Sequence, residues 1–461
     1  MRPILVLPGV VLLGSCVLGP QPGSPDYPTP ASIRGDSAPH GASFGEKSWR
    51  KVFTDPTLRS LIERALANNP DLVAATYRIE QARAQAMATR ADWFPQVGGS
   101  TGVSANQASR NAGQSLPGGD RTSESFDLTA GLSWEADLWG GIRRGNEAAR
   151  ARLLESQYQR DAVQTSLVAA VASAYIELQN LYARLEISES TSKSREESLK
   201  IVTDRRDGGV SSDLEVGQAD ALLSQARVAI PITRQAINAK ENEIRVLLGD
   251  FPAKVAVGGS LDRLDSELRI RAGLPSALLE RRSDIAAADQ AFQAATAEIG
   301  VAEALRLPTL SLTGSGGFIS QDFSNLLEGK SGAYSIGPQL AGPIFDAGRN
   351  KARAEAAKAR AAETLAIYDR TAKQAFREVA DALDAHVKSG EIVAEQERLV
   401  KINGNVSTVA SDRFQGGESS YLEVLDAERN LFASRLELAD ARRNRLLAVV
   451  QSYRALGGGW K

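Results

Sequence analysis

The chain has very few of the side chains on which catalytic and metal-binding sites are usually built. Its 461 residues include one cysteine and two histidines, His40 and His386. A single cysteine excludes an intrachain disulfide, and two isolated histidines offer neither a metal cluster nor a nucleophile–base pair. The glycine-rich stretches lack a Walker lysine and do not join a strand to a helix in a βαβ unit. We therefore expect no enzyme activity, no metal and no cofactor.

Aromatic residues and net charge are also scarce. Aromatics make up 6% of the chain, and 54 basic residues against 56 acidic ones leave a formal charge of −2. This balance gives no electrostatic footprint for nucleic acid or for an anionic membrane surface. Alanine recurs throughout, and charges of both signs are dispersed, as in long and closely packed helices. A chain of this length is therefore expected to be elongated rather than built on one thick core.

The N-terminus has the features of an export signal that ends in a lipid-attachment site. A basic start, Met1-Arg2, precedes the apolar run Ile4 to Leu13, which is too short to span a bilayer permanently. The run ends in Leu13-Gly14-Ser15-Cys16, which resembles a bacterial lipobox whose cysteine receives a diacylglyceryl group. Val17 follows rather than aspartate, which favours the outer membrane. The alternative is an ordinary signal peptide with an incidental cysteine.

The rest of the chain is duplicated. The run that begins Arg205-Arg206-Asp207-Gly208-Gly209 returns, 208 residues later, as Arg413-Phe414-Gln415-Gly416-Gly417, and Pro95 pairs with Pro308 at a spacing of 213. The difference places about five extra residues in the first half, as in a duplicated fold with one longer loop. We therefore divide the chain into five predicted segments: a lipoprotein signal peptide (1–15), an acylated proline-rich tether (16–45), a first repeat (46–250), a connecting equatorial segment (251–273) and a second repeat (274–461).

Each repeat is predicted to contain a helix, two strands, a very long helix, a turn and a shorter helix. The first helix of repeat one stops before Trp93-Phe94-Pro95, because proline disfavours helix in the preceding residue. Proline-free segments predict long helices over 143–206 and 349–415, and some 65 helical residues extend about 100 Å. In each repeat, the helix before the strands has about 20 residues and the shorter helix after the turn has about 35. Together they nearly equal the long helix, so we expect these two helices to stack end to end beside it.

Four strands of about ten residues are predicted from period-two alternation. The apolar positions are Val97 and Val103; Phe126, Leu128, Leu132 and Trp134; Leu310 and Leu312; and Tyr334, Ile336, Pro338 and Leu340. Four strands cannot close a membrane barrel, and an open edge in lipid would leave backbone groups unsatisfied. Three copies of the chain, giving twelve strands, are the expected solution. The alternative is a soluble sandwich.

A coiled-coil seam is predicted near the second turn. Apolar residues there keep the 3/4 and 7 spacing typical of such seams, at Ile392, Leu399, Ile402, Val406 and Val409. We interpret the seam as packing rather than as a functional site.

Several motifs resemble one family. They are Leu66-Ala67-Asn68-Asn69-Pro70-Asp71-Leu72, the Arg-x-x-x-Gly-x-x-Ser-x-Leu turns at Arg205 and Arg413, Val424-Leu425-Asp426-Ala427-Glu428-Arg429, and Tyr453-Arg454-Ala455-Leu456-Gly457-Gly458-Gly459-Trp460. Because it carries these motifs in this order, the chain resembles a TolC-like outer-membrane factor. More narrowly, it resembles the lipidated branch that serves resistance-nodulation-division (RND) pumps. The resemblance implies a mainly α, internally duplicated fold with four long strands. It also implies a homotrimer, with a twelve-stranded outer-membrane barrel and a long periplasmic α-helical coiled-coil barrel.

The turns acquire roles from this resemblance. Gly209 and Gly417 are expected to reverse the chain in the left-handed region, and Ser212 and Ser420 to cap the next helices. In the family these tips contact a periplasmic adaptor, which implies a contact set of Arg205, Gly209, Ser212, Leu214, Arg413, Gly417, Ser420 and Leu422. A purely structural turn is the alternative. Arg206 departs from the family, which usually has an aromatic residue there, as at Phe414.

Glu423 and Asp426 lie three residues apart on one helix face, where family members carry acidic residues at the periplasmic constriction. Repeated around a threefold axis, such a ring repels itself and attracts cations, so closure would depend on pH and salt. The first repeat has Glu215 but places Gln218 at the second position. The alternative is a solvated outer face.

The sequence therefore predicts a passive outer-membrane exit duct of a tripartite efflux system, lipid-anchored at Cys16 and extending into the periplasm. Its expected partners are a periplasmic adaptor and an inner-membrane RND pump, which supplies the energy and chooses the small toxic or amphiphilic cargo. Lipidation and the Gly-Gly-Gly-Trp ending favour this function over a duct for type I protein secretion. A non-transporting coiled-coil lipoprotein is a further alternative, but it leaves the four amphipathic strands unused.

Overall fold

The computed structural model describes residues 17–30, 32–34, 44–109, 111, 122–258 and 275–458. Within these ranges the helices and strands follow in the order α1 Trp49–Val52, α2 Pro56–Asn68, α3 Pro70–Ala91, β1 Gln96–Gln107, β2 Thr122–Ala136, α4 Gly141–Asp207, α5 Asp213–Leu247, α6 Pro275–Arg281, α7 Ser283–Ala304, β3 Thr309–Ser320, β4 Gly332–Ala341, α8 Arg349–Gln415 and α9 Tyr421–Ala455. The predicted order of helix, strand, strand, long helix and shorter helix is confirmed from α3 to α5 and from α7 to α9, whereas α1, α2 and α6, which precede these runs, were not predicted.

The two halves match in helix length. The long helices α4 and α8 have 67 residues each, α5 and α9 have 35 each, and α3 and α7 have 22 each. The strands have 12, 15, 12 and 10 residues, so β1, β2 and β3 are longer than the predicted ten or so and β4 matches that length. The duplication seen in the motifs therefore extends to the lengths of the helices.

The strands form one antiparallel sheet in the order β1-β2-β3-β4. One row of paired residues runs Val97, Leu132, Gly314 and Ile336. Because side chains alternate between faces, the large apolar residues share one face: Val97, Val103, Phe126, Leu128, Leu132, Trp134, Leu310, Leu312, Phe318, Tyr334, Ile336 and Leu340. The other face is polar apart from Ile319 and small residues, and hydroxyl groups pair across it at Ser100–Thr129 and Ser315–Ser335, at 2.8 and 2.9 Å.

The two outer strands of this sheet have one neighbour each. β1 pairs only with β2, and β4 only with β3, among the described residues. Nearly every residue of β1 and β4 is exposed, on both faces. The sheet is therefore open at two edges.

The helices preceding the strands stack end to end on the shorter hairpin helices, as predicted. Asn69 accepts hydrogen bonds from the backbone of Asp71 and Leu72 at the start of α3, at 2.9 and 3.1 Å. Its amide also donates to the carbonyl oxygen of Leu247 at the end of α5, at 3.0 Å. One buried side chain thus satisfies backbone groups of both helix ends.

Arg282 joins α7 to α9 at the equivalent junction of the second repeat. Its guanidinium donates to the carbonyl oxygen of Ala455 at 3.1 Å, and also to the carboxylates of Asp284 and Glu378. Burial lowers the pKa of Arg282, but the hydrogen bonds and charges of Asp284 and Glu378 outweigh it and leave that pKa raised. The repeats therefore join their helices with different chemistry at the same place.

The described chain divides into two compact units. The strand unit comprises the described residues up to Asp26 together with Ile79–Ser156 and Ala288–Tyr368. The hairpin unit comprises the described residues of Tyr27–Arg78, Gln157–Ala287 and Asp369–Lys461. The strand unit holds the sheet, and the hairpin unit holds both helical turns.

No helix in the described ranges combines the length and the apolar character needed to cross a bilayer.

The predicted seam on α8 is not packed within the chain. Ile392, Leu399, Ile402, Val406 and Val409 are all exposed. The helical spacing was right, since all five lie within α8. The interpretation of the seam as packing stays a prediction, because the described residues of this single chain leave it uncovered.

Candidate functional site at the helical hairpin turns

The first hairpin turn joins α4 to α5 through a Schellman motif. The amide of Val210 donates to the carbonyl oxygen of Arg205, and that of Gly209 to Arg206, each at 2.8 Å. These bonds satisfy carbonyl groups at the helix end, and they require a left-handed residue between them. Gly209 supplies it with a φ of 79°.

The second turn, between α8 and α9, repeats this geometry. The amide of Glu418 donates to the carbonyl oxygen of Arg413 at 2.8 Å, and that of Gly417 to Phe414 at 3.1 Å. Gly417 has a φ of 77°. Open space surrounds the position of an added Cβ at both Gly209 and Gly417. The need for glycine at the two turns is therefore conformational rather than steric.

The two turns differ in how they start the next helix. Ser212 accepts from the backbone of Glu215 at 3.3 Å, and the Glu215 carboxylate accepts from the backbone of Ser212 at 2.8 Å, which closes a capping box. Ser420 is the N-cap of α9, but its side chain makes no capping hydrogen bond. Glu423, the counterpart of Glu215, is thereby left available for another contact.

Glu423 pairs with Arg413 instead. Its Oε2 lies 3.4 Å from the Arg413 guanidinium, and both side chains are about half exposed. Asp426, one turn further along α9, accepts from the Asn430 amide at 3.2 Å. Both carboxylates are exposed, whereas the intervening Val424 and Leu425 are buried. The two acidic groups therefore share the outer face of α9.

The two turns touch each other. The Arg205 guanidinium lies over the Phe414 ring, 4.7 Å from its centroid, and donates to the carbonyl oxygen of Gln415 at 3.1 Å. Phe414 also meets Tyr421 edge to face, with ring centroids 5.3 Å apart. A buried cluster continues this contact, formed by Val202, Ala219, Leu222, Ala410, Phe414, Tyr421, Val424, Leu425 and Ala427. The hairpins are therefore packed together near their tips.

Arg206, where the resemblance led us to expect an aromatic residue, stays at the surface. It pairs with Asp207 at 2.7 Å and with Asp213 at 3.5 Å. Its counterpart Phe414 is buried in the cluster. One aromatic residue in the second turn therefore fills the space between the two hairpins, and Arg206 closes its own turn through ion pairs.

Apolar side chains project from the start of each second helix. Leu214 is 70% exposed and Leu422 is 60% exposed. Arg205 and Arg413 lie at the preceding helix ends, where cations interact favourably with the helix dipole. The predicted tip residues thus form a small surface with apolar and basic groups.

The hairpin unit also contains a buried ion pair that the sequence did not indicate. Arg195 of α4 lies 3.8 Å from Glu428 of α9, and Ser198 donates to Glu428 at 3.0 Å. Burial raises the pKa of Glu428 and lowers that of Arg195. It also raises the pKa of the neighbouring Tyr421 to about 12. Glu428 belongs to the quoted Val424–Arg429 motif, but no signal marked Arg195.

A duplicated chain with an open two-faced sheet and paired helical hairpins has the architecture of a TolC-like outer-membrane channel. Residues 61–250 and 274–458 match the family described as Outer membrane efflux protein. The chain therefore belongs to the outer membrane efflux protein family, which is a family of channel proteins.

Individual relatives agree with this assignment. The chain is 36% identical to the toluene efflux pump outer membrane protein TtgC of Pseudomonas putida, over 97% of this chain and 94% of that protein. It is 34% identical to the cation efflux system protein CusC of Escherichia coli, over 100% of both. The solved structure of the outer-membrane channel OprN is 31% identical and covers 96% of this chain and 100% of that chain, with a TM-score of 0.89.

Proposed function

We propose that this protein is the outer-membrane exit duct of a tripartite efflux system. Small toxic or amphiphilic compounds would reach it from an inner-membrane RND pump through a periplasmic adaptor, and would leave passively. The observation that carries the proposal is the sheet, with one apolar face, one polar face and two unpaired edges. Such a sheet suits lipid on one side and a water-filled lumen on the other. Relatives named as efflux proteins at 34% and 36% identity support it.

The functional form is a homotrimer. An exposed strand edge in lipid costs several kcal/mol for each unsatisfied backbone group, so β4 of one copy would pair with β1 of the next. Three copies would give a twelve-stranded barrel. The exposed seam on α8 supports this arrangement, because a neighbouring copy would cover side chains that the chain itself leaves in water.

The acidic pair on α9 forms the periplasmic gate. Glu423 and Asp426 share an exposed face near the second turn, and three copies would place six carboxylates around the axis. Mutual repulsion would oppose close approach, and the Arg413 contact with Glu423 would offset part of it. Cation selectivity is the expected result.

The hairpin tips are the surface for the adaptor. They carry the exposed Leu214 and Leu422 and, at the ends of the preceding helices, Arg205 and Arg413, so they present both apolar and basic groups. Exposed apolar groups ringed by polar ones are typical of protein interaction sites.

The chain is anchored by a lipid on Cys16. This residue lies outside the described ranges, so the proposal rests on the lipobox-like sequence Leu13-Gly14-Ser15-Cys16. The anchored protein would then extend from the outer membrane into the periplasm.

Planar-bilayer conductance of the purified protein tests the duct and its gate. We compare the wild type with Glu423→Ala/Asp426→Ala and with a matched control, Asp204→Ala/Asp220→Ala. The control removes the same charge from exposed positions of the first hairpin, where neither carboxylate forms an ion pair with a described residue. Small, cation-selective wild-type currents should rise in the gate variant and remain unchanged in the control.

Two results would contradict the proposal. An intact trimer that conducts in neither form would exclude an open duct and favour a structural lipoprotein. Equal changes in the gate variant and the control would show that general surface charge, rather than the acidic pair, sets the current.

A further inference from the structure

Two adjoining cavities in the strand unit share one face of α4. The first, of about 430 Å³, is lined by Arg90, Trp93, Phe94, Arg143, Asn146, Glu147 and Arg150. The second, of about 520 Å³, is lined by Arg143, Arg144, Glu147 and Arg150 together with residues of the N-terminal segment and of α7. Arg143, Glu147 and Arg150 belong to both. They recur at i, i+4 and i+7, and so form one stripe on the helix.

This cleft has a strong excess of positive charge. Four arginines line it, and among the described lining residues the one carboxylate is Glu147. Glu147 pairs with the buried Arg144 at 2.8 Å, and Arg144 also donates to the carbonyl oxygen of Leu18 at 3.1 Å. Arg90 and Arg150 are exposed and form no ion pair with a described residue. Two guanidinium groups thus face the cleft with their donors unused.

Aromatic side chains border the same cleft. Trp93 is 39% exposed and Phe94 is 57% exposed, and both precede the first residue of β1. The Trp93 backbone is held in place, because its carbonyl oxygen accepts from the Trp134 indole at 3.1 Å. Aromatic residues beside cationic ones are typical of the boundary between membrane and water.

The N-terminal segment places this cleft beside the proposed lipid anchor. Val17, which follows Cys16 in the sequence, lines the second cavity. The neighbouring Leu18 is fixed, because its amide donates to the Trp139 carbonyl oxygen at 3.1 Å. A lipid on Cys16 would therefore enter the membrane next to these arginines. This step rests on the outer-membrane location in the proposed function.

We propose that the cleft formed by Arg90, Arg143 and Arg150 with Trp93 and Phe94 binds the phosphate headgroup of an anionic membrane phospholipid. Guanidinium groups bind phosphate oxygens through paired, charge-assisted hydrogen bonds. The aromatic rings would lie against the glycerol and the upper acyl chain, where amphipathic surfaces are stable. The site would fix the depth of the strand unit in the bilayer. The net charge of −2 does not reveal this site, because acidic residues elsewhere in the chain cancel the excess positive charge of the cleft.

Native mass spectrometry of the purified full-length protein in detergent tests this proposal. The delipidated protein is titrated with phosphatidylglycerol, and separately with phosphatidylcholine and with inorganic phosphate. The variant is Arg90→Gln/Arg150→Gln. The control is Arg429→Gln/Arg435→Gln, which removes the same charge from exposed arginines of α9. A second variant, Trp93→Ala/Phe94→Ala, tests the aromatic border.

Wild type and control should retain phosphatidylglycerol more strongly than phosphatidylcholine. In the arginine variant the affinity for phosphatidylglycerol should fall by about tenfold or more, because each arginine near an anionic lipid contributes to the binding free energy. The aromatic variant should weaken lipid retention but leave any binding of inorganic phosphate unchanged.

Three results would overturn the inference. The first is an equal loss of phosphatidylglycerol affinity in the control variant. The second is retention of inorganic phosphate as strong as that of the lipid. The third is loss of the trimer in the arginine variant, which would place these residues between copies of the chain. Conductance and lipid retention of the wild type separate this inference from the proposed function. Normal wild-type currents without a preference for phosphatidylglycerol would reject the lipid site alone, and absent wild-type currents would reject the duct.

Discussion

Arg195 and Glu428 form a buried ion pair that connects the two helical hairpins, with Nε 3.8 Å from Oε2. Arg195 is 2% exposed and also donates to the carbonyl oxygen of Leu222 at 2.7 Å. Glu428 Oε2 accepts no hydrogen bond from any described residue. Arg195 is therefore the counter-charge that offsets the burial of the Glu428 carboxylate.

Removal of one member of this pair should destabilise the hairpin unit more than removal of both. Arg195→Met should cost about 3 kcal/mol of unfolding free energy, because Glu428 would remain buried without its counter-charge. Arg195→Met/Glu428→Leu should recover most of that loss. Chemical denaturation of the purified protein measures both values. Arg435→Met, at an exposed position of α9, is the control and should change little. A double variant as unstable as the single one would show that the pair stabilises the fold by packing alone.

The raised pKa of Glu428 predicts a particular pH dependence. Burial favours the protonated carboxyl in the folded protein, so the folded state binds more protons than the unfolded state between the ordinary pKa and the raised one. The contribution of Glu428 to stability is thus greatest below its ordinary pKa and falls as pH rises through the raised value. Relative to Glu428→Gln, the wild type should gain stability from pH 8 to pH 4. Melting temperatures of both proteins across this range measure the difference. A constant difference would contradict the prediction.

The turn glycines should respond to substitution in the opposite way to a helical glycine. Gly209→Ala and Gly417→Ala should each cost about 1 kcal/mol or more, because an L-residue is strained at positive φ. Gly217→Ala is the control. It lies inside α5, where a Cβ also meets open space, and should stabilise the protein by about 0.5–1 kcal/mol. Denaturation midpoints of the three variants test this. Destabilisation by all three would indicate crowding rather than backbone strain.

The two N-cap serines should also differ. Ser212→Ala breaks a capping box and should cost about 1 kcal/mol. Ser420→Ala removes a hydroxyl that makes no capping bond and should cost a few tenths of that amount. Hydrogen exchange of the first-turn amides of α5 and α9 resolves the two effects separately. Equal loss of protection at both turns would show that Ser420 caps α9 in solution.

Much of this fold could be predicted from local signals. The proline at position 95 predicted the end of α3, period-two alternation located the strands, and the repeated glycines marked both turns. Each of these signals depends on only a few neighbouring residues, so it can be recognised in the sequence without knowledge of the tertiary structure. Strand ends were less predictable, because β1 and β2 continue into polar sequence where apolar alternation stops.

The contacts between distant residues could not be predicted in this way. Arg195 and Glu428 are 233 residues apart, and nothing in their spacing couples them. The side-chain contacts of Glu423 could not be predicted either. Glu215, at the equivalent position of the first repeat, closes a capping box, whereas Glu423 pairs with Arg413. The seam on α8 had the right helical spacing, but its apolar pattern did not reveal that the described residues of the chain leave it uncovered.

The matched helix lengths restrict how this protein can change size in evolution. α4 and α8 have 67 residues each, and α5 and α9 have 35 each, so the two hairpins keep their turns in register. One heptad removed from a single helix would shift its turn by about 10 Å against the neighbouring turn. It would also separate Arg205 from Phe414. Viable shortening would therefore need coordinated deletions in all four helices, and natural length variants of this protein should differ by the same number of residues in each.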